Sequence, residues 1–221
     1  MGEINIITTS DGSHSLFHSA LNETYHSVHG AIQESQYVFI RQGLDFWLTI
    51  NPQRDIRILE VGFGTGLNVL LTLLHSQSLP VKIYYESWEA YPLAPSLIQQ
   101  LNYGELLEGR ELFSKIHEVS WDQSIGVTST FTLHKHHGDL QRDFLNTPFD
   151  LVYYDAFAPT KQSEMWTYEI LKKITDVLSP GGLWVTYCAK GQVKRDLAAL
   201  GLKVETLPGP PGKKEMIRAS K

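Results

Sequence analysis

From Asp55 onward the apolar positions of the chain fall into a repeating order, with short β-type runs followed by stretches of helical spacing. Ile56–Val61 reads as a strand, Gly62–Gly66 as a turn, and Leu67–His75 as a helix in which Leu67, Leu70, Leu71 and Leu74 share a face. A second strand is predicted from Pro80 to Trp88, closing on Glu89, and a helix carrying Leu97, Ile98 and Leu101 follows. Further strands are predicted near Phe131–His134 and over Phe149–Tyr154. Met165–Leu178 reads as a helix stopped by Ser179-Pro-Gly-Gly182, ahead of a fifth strand at Leu183–Cys188. Val193–Leu200 is helical up to Gly201, and two short strands, Leu202–Leu207 and Glu215–Ala219, flank the loop Pro208–Gly212.

Strands alternating with helices predict an α/β class: a doubly wound, Rossmann-like parallel sheet covered on both faces. The last two strands lack a helix between them and should pair antiparallel. Residues 1–50 are less regular, with turn signals at Ser10-Asp-Gly12 and an apolar periodicity through Leu44, Phe46, Trp47 and Ile50. They are expected to form a small N-terminal β/loop cap feeding a helix and packed on the core, leaving 51–221 as the α/β domain.

Composition narrows the class. The chain is 42% hydrophobic and 11% aromatic, enough for a substantial core. No apolar run reaches the ~20 residues that span a bilayer, and Met1–Ser10 lacks the basic and apolar regions of a secretory signal. A lone Cys188 fits a reducing compartment, so a cytoplasmic protein with no membrane partner is expected. The net charge is −5, yet Tyr187–Lys221 holds eight Lys and Arg against three acids. Such a local basic face suits a polyanion.

Candidate chemistry begins at Glu60-Val-Gly-Phe-Gly-Thr-Gly66, after a strand and opening a helix. The spacing Gly62-x-Gly64-x-Gly66 is tighter than a diphosphate fingerprint, and no Gly-Lys-Ser/Thr accompanies it. A ligand without phosphate, with a ribose and an amino-acid tail, suits this turn; Glu60 is placed to meet its ammonium, and Phe63, Thr65 and Asn68 join the cofactor set. Glu89 ends the next strand, where an acid binds ribose hydroxyls, and Gly138-Asp139 follows the third, where an acid accepts from an adenine amine. Acids at successive strand ends favour S-adenosyl-L-methionine over NAD. Asp155 ends the fourth strand inside Val152-Tyr-Tyr-Asp-Ala-Phe-Ala-Pro159, and Phe157 and Pro159 are expected to wall the acceptor. His14, His18 and His134–His137 lack the companions of a metal motif, so no metal is expected. Cys188 reads as a buried hydrophobe, and no G-x-S-x-G elbow suggests a hydrolase.

These residues also carry a resemblance. Gly62–Gly66 with Asn68, Ser87-Trp-Glu-Ala-Tyr-Pro92, Asp155-Ala-Phe-Ala-Pro159, Met165-Trp166, Ser179-Pro-Gly-Gly182 and Gly212-Lys-Lys-Glu-Met216 are similar to the MnmC methyltransferase-domain family. So are the N-terminal Asp11–Phe17, Glu23–Tyr25, His29–Ala31 and Tyr37–Phe39, which extends the likeness over nearly the whole chain. Ala156 departs from the family's common Gly. The resemblance implies a class I S-adenosylmethionine-dependent methyltransferase that converts 5-aminomethyl-(2-thio)uridine to 5-methylaminomethyl-(2-thio)uridine at the tRNA wobble position. It further implies a catalytic Asp155 that orients the amine first and accepts its proton second. Phe157 and Trp166 are expected to stack on the base, and Lys190, Lys194, Arg195, Lys213 and Lys214 to contact phosphates. The chain is expected to be the free-standing form, and a separate FAD-dependent oxidase acting upstream, supplied by another chain or absent, is equally compatible with it. The alternatives are a methyltransferase of a small amine or other RNA base, and a non-catalytic cofactor-binding adaptor in an RNA-modification complex.

Overall fold

In the computed structural model, which describes residues 2–143 and 145–221, the chain opens with a β-meander: β1 (Ile4–Thr8), β2 (His14–His18) and β3 (Glu23–Thr24). Asp11 closes the first turn by accepting from Thr9 Oγ1 and Ser13 N, and its second oxygen accepts from Gln33 N on the following helix. That helical rod is α1 (Ala31–Ser35), a π-helical stretch (Gln36–Asp45) and α2 (Phe46–Ile50). Val38, Phe39, Leu44 and Trp47 line its buried side and join the core that includes Ile58, Leu151 and Val185, as does Leu16 of β2. Residues 2–50 therefore share one hydrophobic core with the sheet, and the rod covers it as a full-length helix.

The sheet proper comprises β4 (Ile56–Val61), β5 (Ile83–Glu89), β6 (Ser124–Gly126), β7 (Phe131–His137), β8 (Phe149–Tyr154), β9 (Leu178–Thr186), β10 (Lys203–Pro208) and β11 (Glu215–Ser220). Its order is β10-β11-β9-β8-β4-β5-β7-β6. The strands β7, β5, β4, β8 and β9 run parallel, whereas β11 is antiparallel to both β9 and β10. The antiparallel ending is the one expected from the missing crossover helix.

Period-two alternation divides the core. Ile58, Tyr85, Leu133 and Tyr153 pack toward the rod, α3 (Leu67–Ser76) and the later helix α6 (Arg110–Glu118). Leu59, Val152, Tyr154 and Trp184 pack on the other face. The β5–β7 connection contains α4 (Pro95–Ile98), α5 (Tyr103–Leu106) and α6 (Arg110–Glu118), in place of the single helix expected around Leu97–Leu101. Pro95 starts α4 at a position where its missing N–H costs nothing. A 3₁₀ turn (Ser163–Trp166), α7 (Tyr168–Asp176) and α8 (Gly191–Ala199) complete the described elements.

Ser179-Pro-Gly-Gly182 does not follow a helix running to Leu178: α7 ends at Asp176, and the four residues lie within β9 as an irregularity. Phe149 pairs with Leu178 and Leu151 with Leu183, so the strand bulges there. The bulge exposes backbone that the C-terminus uses, since Gly181 N donates to Lys221 O and Lys221 N to Gly182 O. Among the described residues no helix is long and apolar enough to cross a membrane.

Candidate active site

The strand ends of β4, β5, β7 and β8 open into a cleft of about 1180 Å³, roofed by the hairpin of β2 and β3. Ligands of doubly wound sheets bind at these carboxyl ends, where strand order reverses. The reversal here lies between β5 and β8, on either side of β4.

The glycine turn is clamped from three sides. Gly62, Gly64 and Gly66 all have positive φ, at 94°, 49° and 75°. A Cβ on Gly62 would lie 3.1 Å from the backbone oxygen of Asp155, one on Gly64 3.3 Å from the Tyr25 ring, and one on Gly66 2.9 Å from His117 Nε2. Close packing by β8, the cap and α6, as well as backbone conformation, demands glycine. Gly64 N donates to Glu89 Oε2 and Tyr91 N to Glu89 Oε1, so Glu89 both shapes the turn and edges the cleft. Thr65 Oγ1 is 2.9 Å from His26 Nε2, which latches the cap onto the turn. Burial drives the His26 imidazole down to about 4, leaving it neutral. Phe63 packs against His117 and Trp121 with its edge on the cleft. Gly138 and Asp139 lie on the opposite rim, and Asp139 Oδ1 accepts from Gln141 N.

Glu60 is elsewhere than expected. Its side chain has no exposed surface and lies beneath the turn, off the cleft wall, so it has no face to offer a ligand ammonium. Ser87 Oγ is 2.5 Å from Oε2, while Oε1 has no partner. Burial raises its carboxyl to about 8, with nearby Asp155 adding to the rise and the Ser87 hydrogen bond opposing it. At neutral pH Glu60 keeps its proton.

Asp155 faces the cleft. Asn68 Nδ2 donates to its Oδ2 at 2.8 Å, and Asn68 Oδ1 is left without a partner. Burial, followed by the Glu34 carboxylate, raises Asp155 to about 7; the Asn68 hydrogen bond and Lys213 act in the opposite direction. Phe157 stands on the cleft with its ring edge-on to Tyr25, 4.9 Å between centroids. Trp166, expected to stack on a base, is 7% exposed and packs on Tyr154. Its Nε1 donates to Phe157 O at 2.7 Å, so it braces the loop from behind. Pro159 likewise lies in that loop and off the cleft wall.

The basic residues divide. Lys190, Arg195 and Lys214 are exposed. Lys194 pairs with Glu215 at 2.8 Å. Lys213, expected on the phosphate-binding face, turns inward to pair with Glu34 and lines the cleft. Away from the cleft, Glu86, His134 and His136 bring ligand-type atoms within 4.8 Å of one another, with Glu86 held by His136 and Arg57. Sequence spacing missed Glu34, Tyr25, His26 and Tyr187 as cleft residues. Only tertiary contact brings them there.

The cleft fits a cationic nucleoside better than a diphosphate. Its rim carries the carboxylates of Glu89, Asp139 and Asp155, its floor is the positive-φ turn, and Asn68 Oδ1 is an unused buried acceptor. Fold and cleft together define a methyltransferase of the doubly wound class. The sequence profile of a family described as S-adenosyl-L-methionine-dependent methyltransferase matches residues 110–221. The tRNA 5-methylaminomethyl-2-thiouridine biosynthesis bifunctional protein MnmC of Cupriavidus necator is 29% identical over 217 residues, covering 90% of this chain and 32% of that protein. Its counterpart in Idiomarina loihiensis is 29% identical over 222 residues, covering 90% and 36%. The chain thus spans about a third of the length of these curated relatives. The crystal structure of MnmC2 from Aquifex aeolicus is 29% identical, with a TM-score of 0.79 covering 100% of this chain and 70% of that one. Spermidine synthase from Thermotoga maritima shares the fold at 16% identity and a TM-score of 0.59, covering 100% of this chain and 70% of that one. The chain belongs to the S-adenosyl-L-methionine-dependent methyltransferase family, its likeness within it is to the MnmC methyltransferase domain, and its cofactor is S-adenosyl-L-methionine.

Proposed function

We propose that this protein methylates the exocyclic amine of 5-aminomethyl-(2-thio)uridine at the wobble position of tRNA, giving the 5-methylaminomethyl product. The observation that carries the reading is Asp155, a cleft carboxylate fixed by Asn68 and raised to about 7, in a chain whose named relatives act in this tRNA pathway. The turn Gly62–Gly66 with Phe63 and Thr65, together with Asn68, Glu89, Gly138 and Asp139, holds the cofactor. When bound, S-adenosyl-L-methionine supplies a sulfonium methyl carbon, so that an N–C bond forms as the C–S bond breaks and a neutral thioether departs.

Only the neutral amine has a lone pair to donate, yet a primary amine titrates near ~10 in water. Asp155 draws the ammonium into the cleft and orients it. Moving a proton from an amine at ~10 to a carboxylate at ~4 costs about 8 kcal/mol, whereas to one near ~7 it costs about 4. Burial of Asp155 thus makes proton acceptance a working part of its role beside orientation. Phe157, edge-on to Tyr25, walls the acceptor, and Trp166 and Gln162 hold its backbone in place. Lys190, Arg195 and Lys214 supply phosphate contacts outside the cleft.

The test is radiolabelled methyl transfer from S-adenosyl-L-methionine to tRNA carrying 5-aminomethyluridine, beside unmodified tRNA and the free nucleoside. Label is expected on the modified tRNA alone. Asp155→Asn should lower kcat/KM about 10²–10³-fold while cofactor binding persists. Intact cofactor binding with no label on any tRNA would overturn the assignment.

A further inference from the structure

Lys213 and Lys214 are neighbours in sequence with opposite fates: Lys214 is exposed, while Lys213 enters the cleft. Lys213 Nζ pairs with Glu34 Oε1 and stands 3.7 Å from the centroid of the Tyr187 ring. Glu34 is 5% exposed, and its other oxygen accepts from Ser27 N at 2.7 Å. Tyr187 is fixed in turn, because its hydroxyl donates to Ala156 O at 2.8 Å, next to Asp155. Glu34, Asp155, Tyr187 and Lys213 all line the same cleft, and Asp155 responds to the charges of both Glu34 and Lys213.

This is the surrounding that a primary ammonium seeks. A carboxylate pairs with it and an aromatic face attracts it through the ring quadrupole. A second carboxylate, Asp155, makes its side-chain hydrogen bond to Asn68. A buried Glu34 without a cation would be costly to keep ionised, so the folded chain supplies one from its own loop. The loop backbone is anchored independently of the Lys213 side chain. Gly212 is pressed so closely on His29 that a Cβ there would lie 1.9 Å from His29 Cδ2, and Tyr37 Oη donates to Pro208 O. From that fixed base the four-carbon stem of Lys213 can swing away without moving the backbone.

We infer that Glu34, Asp155 and the face of Tyr187 form an ammonium-binding subsite, and that Lys213 occupies it as an internal stand-in until the primary ammonium of the acceptor displaces it. The inference rests on an amine as the methyl acceptor and names the groups that receive it. Displacement conserves charge, since one ammonium leaves Glu34 as another arrives. It also discriminates: a neutral base, or a hydroxymethyl in place of the aminomethyl, cannot replace the cation that Glu34 requires. Lys213 thereby reduces the apparent affinity for the acceptor by the fraction of time it holds the subsite.

Ethylammonium is the probe, titrated by NMR into the wild-type protein, Lys213→Ala, Lys213→Met (which keeps most of the stem's packing) and Lys213→Ala/Glu34→Gln. Removing the lysine should tighten ethylammonium binding at least about tenfold over wild type, and adding Glu34→Gln should abolish the gain. Equal binding by wild type and both single variants, or none by any, overturns the subsite. With aminomethyl-tRNA, Lys213→Ala should lower the acceptor KM several-fold, whereas a phosphate-contacting lysine would raise it. If the wild type methylates no tRNA the proposed substrate fails, while the ethylammonium titration still decides the subsite.

Discussion

The two ends of the cleft are built by different means. The end proposed for the cofactor comes from one stretch, Gly62–Asn68, plus Glu89 at the next strand end. Chain geometry alone brings these residues together, because a strand, a turn and a helix leave them nowhere else to go. The acceptor end collects Glu34 from the N-terminal rod, Asp155 and Tyr187 from two strand ends, and Lys213 from the final hairpin loop. Glu34 and Lys213 lie 179 positions apart. The ends differ electrically as well. Behind the turn, burial favours the neutral forms of two groups, with His26 driven down to about 4 and Glu60 up to about 8. The end proposed for the acceptor keeps a partly buried ion pair. A contiguous site suits a cofactor common to many enzymes, while on the proposed reading the assembled one discriminates between acceptors.

Gly62 is where the two ends touch, and altering it should have the largest effect. Its φ of 94° strains any L residue, and its new Cβ would press the backbone oxygen of Asp155 from 3.1 Å. Gly62→Ala should cost about 2–4 kcal/mol, a fall in Tm of roughly 5–10 °C. Because the displaced atom belongs to Asp155, methyl transfer should fall further than cofactor affinity does. Calorimetry of the folded variant and titration with S-adenosyl-L-methionine measure both; a variant losing cofactor affinity alone would separate the two ends completely.

The same division explains what was legible in the sequence. The β4–turn–α3 unit, its acids and the antiparallel ending were readable because each depends on neighbours in the chain. Helix α6 escaped because only Phe113 and Ile116 are buried in Arg110–Glu118, too few to announce a period. The 20-residue rod was foreshortened because its buried positions, from Ala31 to Trp47, are interrupted by a π-helical register change. Trp166 and Lys213 were given the exposed roles usual for their types, yet Trp166 braces the Phe157 loop and Lys213 neutralises Glu34. Nothing in spacing distinguishes Lys213 from Lys214. Glu34 looks like any polar helix residue until the loop bearing Lys213 folds against it.

Glu60 offers an intermediate effect and tests whether the cofactor end is neutral. Its carboxyl titrates at 4.5 in the unfolded chain and about 8 in the folded one. Between those values the folded chain binds more protons, so this contribution is complete below about 4.5 and is lost as pH rises through 8. Glu60→Gln cannot ionise and should remove the slope. From pH 5 to pH 8, wild type should lose roughly 3–4 kcal/mol relative to the variant in urea unfolding. Asp155, raised to about 7, adds a slope of the same sign, so the wild-type minus variant difference is the quantity to read. A flat difference would mean that Glu60 is already charged beneath the turn.

The smallest expected effect separates adjacent lysines. Lys214 is exposed, and the phosphate contact proposed for it would be screened and sequence-independent. Lys214→Gln should weaken tRNA binding about two- to threefold and reduce the slope of log K against log salt by roughly 0.7–0.9. With unmodified tRNA, which brings no ammonium to displace it, Lys213→Gln should leave that slope unchanged, because its charge is spent on Glu34 inside the cleft. Filter binding over a series of salt concentrations gives both slopes. Equal slopes for the two variants would return Lys213 to the phosphate-binding face and leave Glu34 without a cation in the complex, a state that its 5% exposure makes costly.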